Sequence, residues 1–163
     1  MSTRRDLATA LFAFPLIAAA TKSEASPVLE PYGEDAVRII SYTLYAEARG
    51  EPFKGKLAVA AVIQTRARLA NASLTEVCLK EKQFSCWNEL DSVPEYYVTG
   101  RGMQPADISA RSDCYSIAWV VISSSRKWKY LTHFYNPAKA TPSWAASLRG
   151  KKTIGKHVFG YLD

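Results

Sequence analysis

The chain has 163 residues, 48% of them hydrophobic and 22% charged, with a formal net charge of +6. That length suits one domain able to bury its own core, and the composition excludes a disordered or low-complexity chain. The basic balance favours anionic partners, but no run of Lys and Arg is long enough to single out nucleic acid, and none is expected as a partner.

Residues 1–25 read as an export signal. Arg4 and Arg5 precede an apolar run from Leu7 to Ala20, interrupted only by Thr9 and Pro15. Small residues follow at Ala18-Ala19-Ala20 and Ser23-Glu24-Ala25. Charged, apolar and small, in that order, is the pattern of a secretory signal, and the run is too short for a comfortable membrane span. Cleavage is expected after Ala20 or Ala25. Retained, the segment would be an anchor, giving transient membrane association. Either way the domain is expected to work outside the cytoplasm, in the periplasm or the extracellular wall. Residues 26–33 hold two prolines and a glycine and read as a linker to a domain over 34–163.

A first helix is expected over 34–49. Val37, Ile40, Leu44 and Ala48 form its inward stripe, and Glu34-Asp35 suit its positive end. Arg49-Gly50 reads as the stop, reinforced by Pro52. After a tight connection at 50–55, a second helix is expected over 56–71. Ala58, Ala61, Val62, Thr65 and Leu69 would face inward, with Arg66 and Arg68 in water. Its small alanines allow close packing, so it is placed at the centre. Ser73-x-x-Glu76 is a capping-box signature for a short helix ending near Lys80.

Residues 83–104 lose the period and read as a long, aromatic, structured loop. A fourth helix is expected over 105–124, with Ile108, Cys114, Ala118, Val121 and Ile122 inward. Residues 128–163, rich in Tyr, Trp, Pro and Gly, suggest short strands or irregular structure. Three cysteines fit an oxidising compartment but cannot all pair. Cys78 and Cys86 are the candidate disulfide, with Cys114 an alternative partner for Cys86. Two histidines about 24 positions apart, with no paired C-x-x-C, give no ligand spacing, so no metal is expected. No phosphate-binding glycine motif is present, so no cofactor is implied.

The chemistry gathers around Tyr42 to Leu57. Glu47 falls in the last turn of the first helix, beside Leu44 and Tyr45, near the negative helix end. Partial burial there would raise its pKa and suit it to general acid work. The ordinary alternative is a surface glutamate paired with Arg49 or Arg38. Glu51 lies close enough in sequence to form a carboxylate pair with Glu47 for retaining or inverting glycoside hydrolysis, or to pair with Arg49 or Lys54. Gln83, Phe84, Tyr135, Asn136 and Trp144 mix polar groups with flat apolar faces, as a sugar cleft requires. Of His133 and His157, the latter is the stronger candidate to face such a cleft. Cys114 with His157 would be the pair for a cysteine amidase or endopeptidase, but an inward Cys114 would be inert.

Y-A-E-A-R-G-E-P-F-K-G-K-L-A-V-A-A-V-I resembles the signature of the SleB-type cell wall hydrolases, the spore cortex-lytic enzyme family. Q-F-S-C-W-N at 83–88, H-F-Y-N-P at 133–137, P-S-W at 142–144 and I-G-K-H-V-F at 154–159 resemble its later blocks, in the same order. The resemblance implies a mainly α, lysozyme-like α+β domain with a few short strands. It further implies peptidoglycan glycan strands as the partner; the chain itself is expected to be a monomer. The implied reaction is cleavage of the MurNAc–GlcNAc β-1,4 bond by a lytic transglycosylase with Glu47 as its single acid. Glu51, Gln83, Phe84, Tyr135, Asn136, Trp144 and His157 would then contact or support substrate. A wall-binding module without catalysis is the remaining alternative.

Overall fold

The computed structural model describes residues 33–124 and 130–162. The expected export segment, and the linker up to Gly33, lie outside them. Helix α1, Glu34–Ala48, buries Val37, Ile40, Leu44 and Ala48 as their spacing predicts. Arg38 reaches back to Glu34 at 2.6 Å. The helix closes at Arg49, and the Glu51 N–H donates to the Ala48 carbonyl at 2.9 Å.

Helix α2, Phe53–Ala70, starts earlier than expected. Pro52 both ends the preceding turn and opens α2, because its φ of −61° is already suited to helix entry. Ala58 through Ile63 are all buried, and α2 packs against both α1 and the long helix α5, Pro105–Ser123. A helix enclosed on nearly every side has no clean solvent stripe. Two assignments from periodicity therefore change: Leu69 is exposed, while Arg66 turns inward and is part-buried. Asn71 ends α2 in the left-handed region at φ 49°.

Helix α3, Leu74–Leu79, carries the expected capping box. Ser73 Oγ accepts from the Glu76 N–H at 3.2 Å, and Glu76 Oε2 accepts from the Ser73 N–H at 2.6 Å. The segment that follows is more regular than its sequence suggests. It contains a 3₁₀ turn, Ser85–Trp87, and a short helix α4, Glu95–Thr99. Neither is long enough to display a period; tertiary contacts hold both. The Trp87 indole N–H donates to Thr43 Oγ1 at 2.9 Å inside the core. Arg111 of α5 donates to the Tyr97 and Val98 carbonyls at 2.5 and 2.6 Å, satisfying the open end of α4. Along α5, Cys114, Ala118, Val121 and Ile122 are buried as expected. Ile108 is exposed, because it lies in the first turn, ahead of the packed stretch that begins at Ala110.

Three short strands follow: β1 (His133–Tyr135), β2 (Arg149–Ile154) and β3 (His157–Tyr161). They form one antiparallel sheet in the order β1-β3-β2, with Phe134 opposite Phe159 and Thr153 opposite Val158. The β2–β3 turn is two residues, Gly155-Lys156, with Gly155 at φ +59°. Phe159 is fully buried and joins the sheet to the helical core. The fold is thus mainly helical with one small sheet. No helix among the described residues is long and apolar enough to cross a membrane.

Candidate active site

Glu47 projects from the last turn of α1 at the meeting point of two hollows. The larger, about 1060 Å³, is lined by Arg66, Lys80, Lys82, Gln83, Ser85, Tyr130, His133 and Trp144 as well as Glu47. The smaller, about 350 Å³, runs past Arg49, Glu51, Tyr96, Asn136, Lys139 and Lys156. Burial pushes the Glu47 carboxyl above its ordinary pKa, against the opposing pull of Lys139, Arg66 and the Ser85 backbone. The direction matches the expectation from sequence; burial is its main cause. Neither proposed surface partner is used. Arg38 pairs with Glu34, and Arg49 lies over the Tyr45 ring at 5.6 Å.

The floor next to Glu47 is set from α1 itself. Thr43, one turn back, holds Trp87, and Trp87 fixes the 3₁₀ turn that presents Ser85. Gln83 takes part by holding Arg66: its Oε1 accepts from Arg66 Nη1 at 3.0 Å. Arg66 Nε donates to the Thr132 carbonyl at 2.8 Å, and its guanidinium sits 5.6 Å from the Phe84 ring centre. Burial lowers the Arg66 pKa and the charge of Glu47 opposes this. Phe84 is buried at 2% exposure, so it supports Arg66 from below and is not a sugar platform. Arg66 escaped sequence reasoning. The signal was available: an Arg inside a helix as apolar as A-V-A-A-V-I must find a partner, not water.

Trp144 contributes the aromatic wall. It packs edge-on to Tyr135 at 5.7 Å and lies 4.9 Å from the His133 ring. His133 lines the larger hollow, and burial together with Arg66 lowers its pKa. Asn136 lines the smaller hollow and uses its Oδ1 to accept from the Ala138 N–H at 3.0 Å. Both histidines reach the site: His133 lines the larger hollow and His157, as expected, the smaller one. His157 is 8% exposed and packs on Phe134 and Phe159.

Glu51 is buried against the sheet. It is 6% exposed, its Oε2 accepts from the Lys156 N–H at 2.8 Å, and its Oε1 lies 3.3 Å from His157 Nδ1. It therefore pins the β2–β3 turn to the α1–α2 junction, in place of the expected pairing with Arg49 or Lys54.

Cys78, Cys86 and Cys114 are all unbonded, so the expected Cys78–Cys86 bridge is not formed. Cys78 is committed to the core beside Thr43, while Cys86 lies within reach of the Glu47 charge. Burial pushes each of the three thiols up to about 12. Cys114 has neither a thiolate nor a histidine partner, since Lys56 and Asp113 are the charges beside it. The cysteine peptidase alternative is thereby removed. No group of three or more His, Cys, Asp or Glu among the described residues is placed to hold a metal ion.

A central helix and a small sheet make a lysozyme-like architecture, with the Glu47 carboxyl raised by burial between two hollows. Residues 50–160 match the cell wall hydrolase family, and the chain belongs to that family. The matched stretch begins after Glu47 and includes Glu51. The spore cortex-lytic enzyme of Bacillus subtilis is 28% identical over 133 residues, covering 78% of this chain and 38% of that protein. That of Oceanobacillus iheyensis is 26% identical over 137 residues, covering 81% of this chain and 44% of that protein. The chain thus spans less than half the length of these relatives. Among solved structures, the catalytic domain of the germination-specific lytic transglycosylase SleB from Bacillus anthracis matches with a TM-score of 0.57 and 23% identity, covering 80% of this chain and 97% of that domain. The SleB catalytic domain of Bacillus cereus matches with a TM-score of 0.57 and 25% identity, covering 80% of this chain and 92% of that one.

Proposed function

We propose that this protein cuts the β-1,4 bond between MurNAc and GlcNAc in peptidoglycan, as a lytic transglycosylase with Glu47 as its single catalytic acid. The observation that carries the reading is the contrast between two carboxyls. Glu47 stands at the junction of the hollows with its pKa raised by burial. Glu51, the other carboxyl lining them, is 6% exposed, accepts from the Lys156 N–H and lies against His157. Hydrolysis by a carboxylate pair needs a second group free to attack or to activate water. Glu51 is not free to do either.

Protonated Glu47 donates its proton to the glycosidic oxygen, and the bond from that oxygen to the MurNAc C1 breaks. The carboxylate so formed removes the proton from the C6 hydroxyl of the same sugar. The C6 oxygen closes on C1, giving a 1,6-anhydro ring and returning Glu47 to its acid form. Arg66 and Lys139 are the cations that favour the transient carboxylate. The relatives named as spore cortex-lytic enzymes and as a lytic transglycosylase support this reaction class. The substrate and the pattern of residues 1–25 support work outside the cytoplasm, in the periplasm or the wall.

The test is mass spectrometry of products from purified peptidoglycan, with wild type and Glu47→Gln in parallel. Anhydro-muropeptides from wild type, absent with the variant, are the expected result. Reducing-end products without the anhydro ring would mean hydrolysis by water. Glycan bound tightly but left uncut at every pH would mean a binding module.

A further inference from the structure

The smaller hollow is more basic than acid catalysis requires. Arg49 at the end of α1, Lys139 after β1 and Lys156 in the β2–β3 turn come from three separate elements and line one space. None of the three has an ion-pair partner among the described residues. Of the carboxyls lining the space, Glu51 is already engaged, and Glu47 has its charged form disfavoured by burial.

The lysines are also mounted on fixed backbone. The Lys156 N–H is bonded to Glu51, and the Lys139 N–H donates to the Asn136 carbonyl at 2.9 Å. Asn136 stiffens the same turn through its bond from the Ala138 N–H. Bringing three cations together around a small space is unfavourable unless an anion enters it. A fixed site of this kind fits carboxylates.

We propose that this hollow, through Arg49, Lys139 and Lys156, binds the carboxylates of the peptide stem on the muramic sugar at the cut, so that stem-bearing glycan is preferred to bare glycan. The proposal rests on the reading of Glu47 as the acid and adds a substrate class to it. The geometry supplies the reason. Both hollows reach a bond placed at Glu47. In the larger, Arg66 is held by Gln83 and Thr132 and Lys82 pairs with Glu81, whereas Arg49, Lys139 and Lys156 of the smaller are unpaired among the described residues, so the stem on the adjoining muramic sugar is assigned to the smaller one. The larger hollow, with Trp144 and Tyr130, is left for the sugar rings.

The test uses peptidoglycan freed of other anionic polymers, half of it then stripped of stems by an amidase, with the lactyl carboxylates this exposes capped as methylamides. The readout is the ratio of kcat/KM on stem-bearing glycan to that on stripped glycan. Taken for each protein separately, this ratio cancels any change in the acidity of Glu47. Wild type is expected to favour stem-bearing strands about tenfold or more, as charge-assisted hydrogen bonds would give. That preference should fall with added salt. In the Lys139→Gln, Lys156→Gln double variant, with Arg49→Gln as a separate check, the ratio should fall toward one. Equal use of both substrates by wild type, or a preference that survives in the double variant, would overturn the subsite. Failure of wild type to cut either substrate, or cutting that survives Glu47→Gln, would instead overturn the assignment of Glu47 and the subsite with it.

Discussion

Glu47 and Arg66 are two side chains whose roles depend on each other. Burial raises the Glu47 pKa, and the nearby charge of Arg66 holds the rise in check. An acid of this kind works while protonated, so activity should fall as pH rises through its pKa in the folded protein. Removing Arg66 takes away an interaction that favours the carboxylate, and the Glu47 pKa must then rise further. Arg66→Met should accordingly move the alkaline limb of the kcat/KM profile to higher pH. It should also lower the maximum by about 10-fold or more, since a mispositioned floor disturbs substrate alignment. A pH profile that falls in rate without shifting would make Arg66 structural only. Glu47 itself was legible in the sequence, from the helix stop at Arg49-Gly50 and the stripe behind it. Arg66 was not, because helical periodicity assigned it to water while the surrounding elements enclosed it.

The β2–β3 turn is where the sheet is fastened to the helices. A Cβ added at Gly155 would stand 1.9 Å from Glu51 Oε2 and 2.8 Å from Pro52 Cδ. Gly155 also has φ +59°, which L side chains rarely adopt. Gly155→Ala should break the bond between Glu51 and Lys156 and destabilise the protein by about 1–3 kcal/mol, measured by urea unfolding. An unchanged midpoint would show that the turn is not held as described. The hairpin was only loosely legible, since the segment reads as irregular and rich in aromatics. The clasp behind it was not legible at all: Glu51 and Lys156 lie 105 positions apart. The capping box of α3 was fully legible, because both of its partners lie within four residues.

Across the whole molecule, α2 is held against α5 by a polar tie as well as by apolar packing. Lys56 Nζ is 2.9 Å from Asp113 Oδ2, and the Lys56 side chain is only 5% exposed. Removing one partner would leave a buried cation uncompensated. Asp113→Ala should cost about 3 kcal/mol, while the Lys56→Met, Asp113→Leu pair should recover most of that loss. Equal losses in both proteins, compared by denaturant unfolding, would show that packing and not charge controls this contact.

The sequence by itself determined what depends on near neighbours. That covers α1 with its inward stripe and its stop, the place of Glu47 in the final turn, the cap of α3 and the central position of α2. These follow from helical periodicity and local hydrogen bonding, whose energies are settled within a few residues. Only the tertiary structure decided which charged groups face each other. It turned Arg66 into the cleft, engaged Glu51 with the sheet, put His133 in the larger hollow and left Cys78 and Cys86 unbonded. Burial and electrostatics depend on distances in space, and the residues that set them here are scattered along the chain from α1 to the last strand.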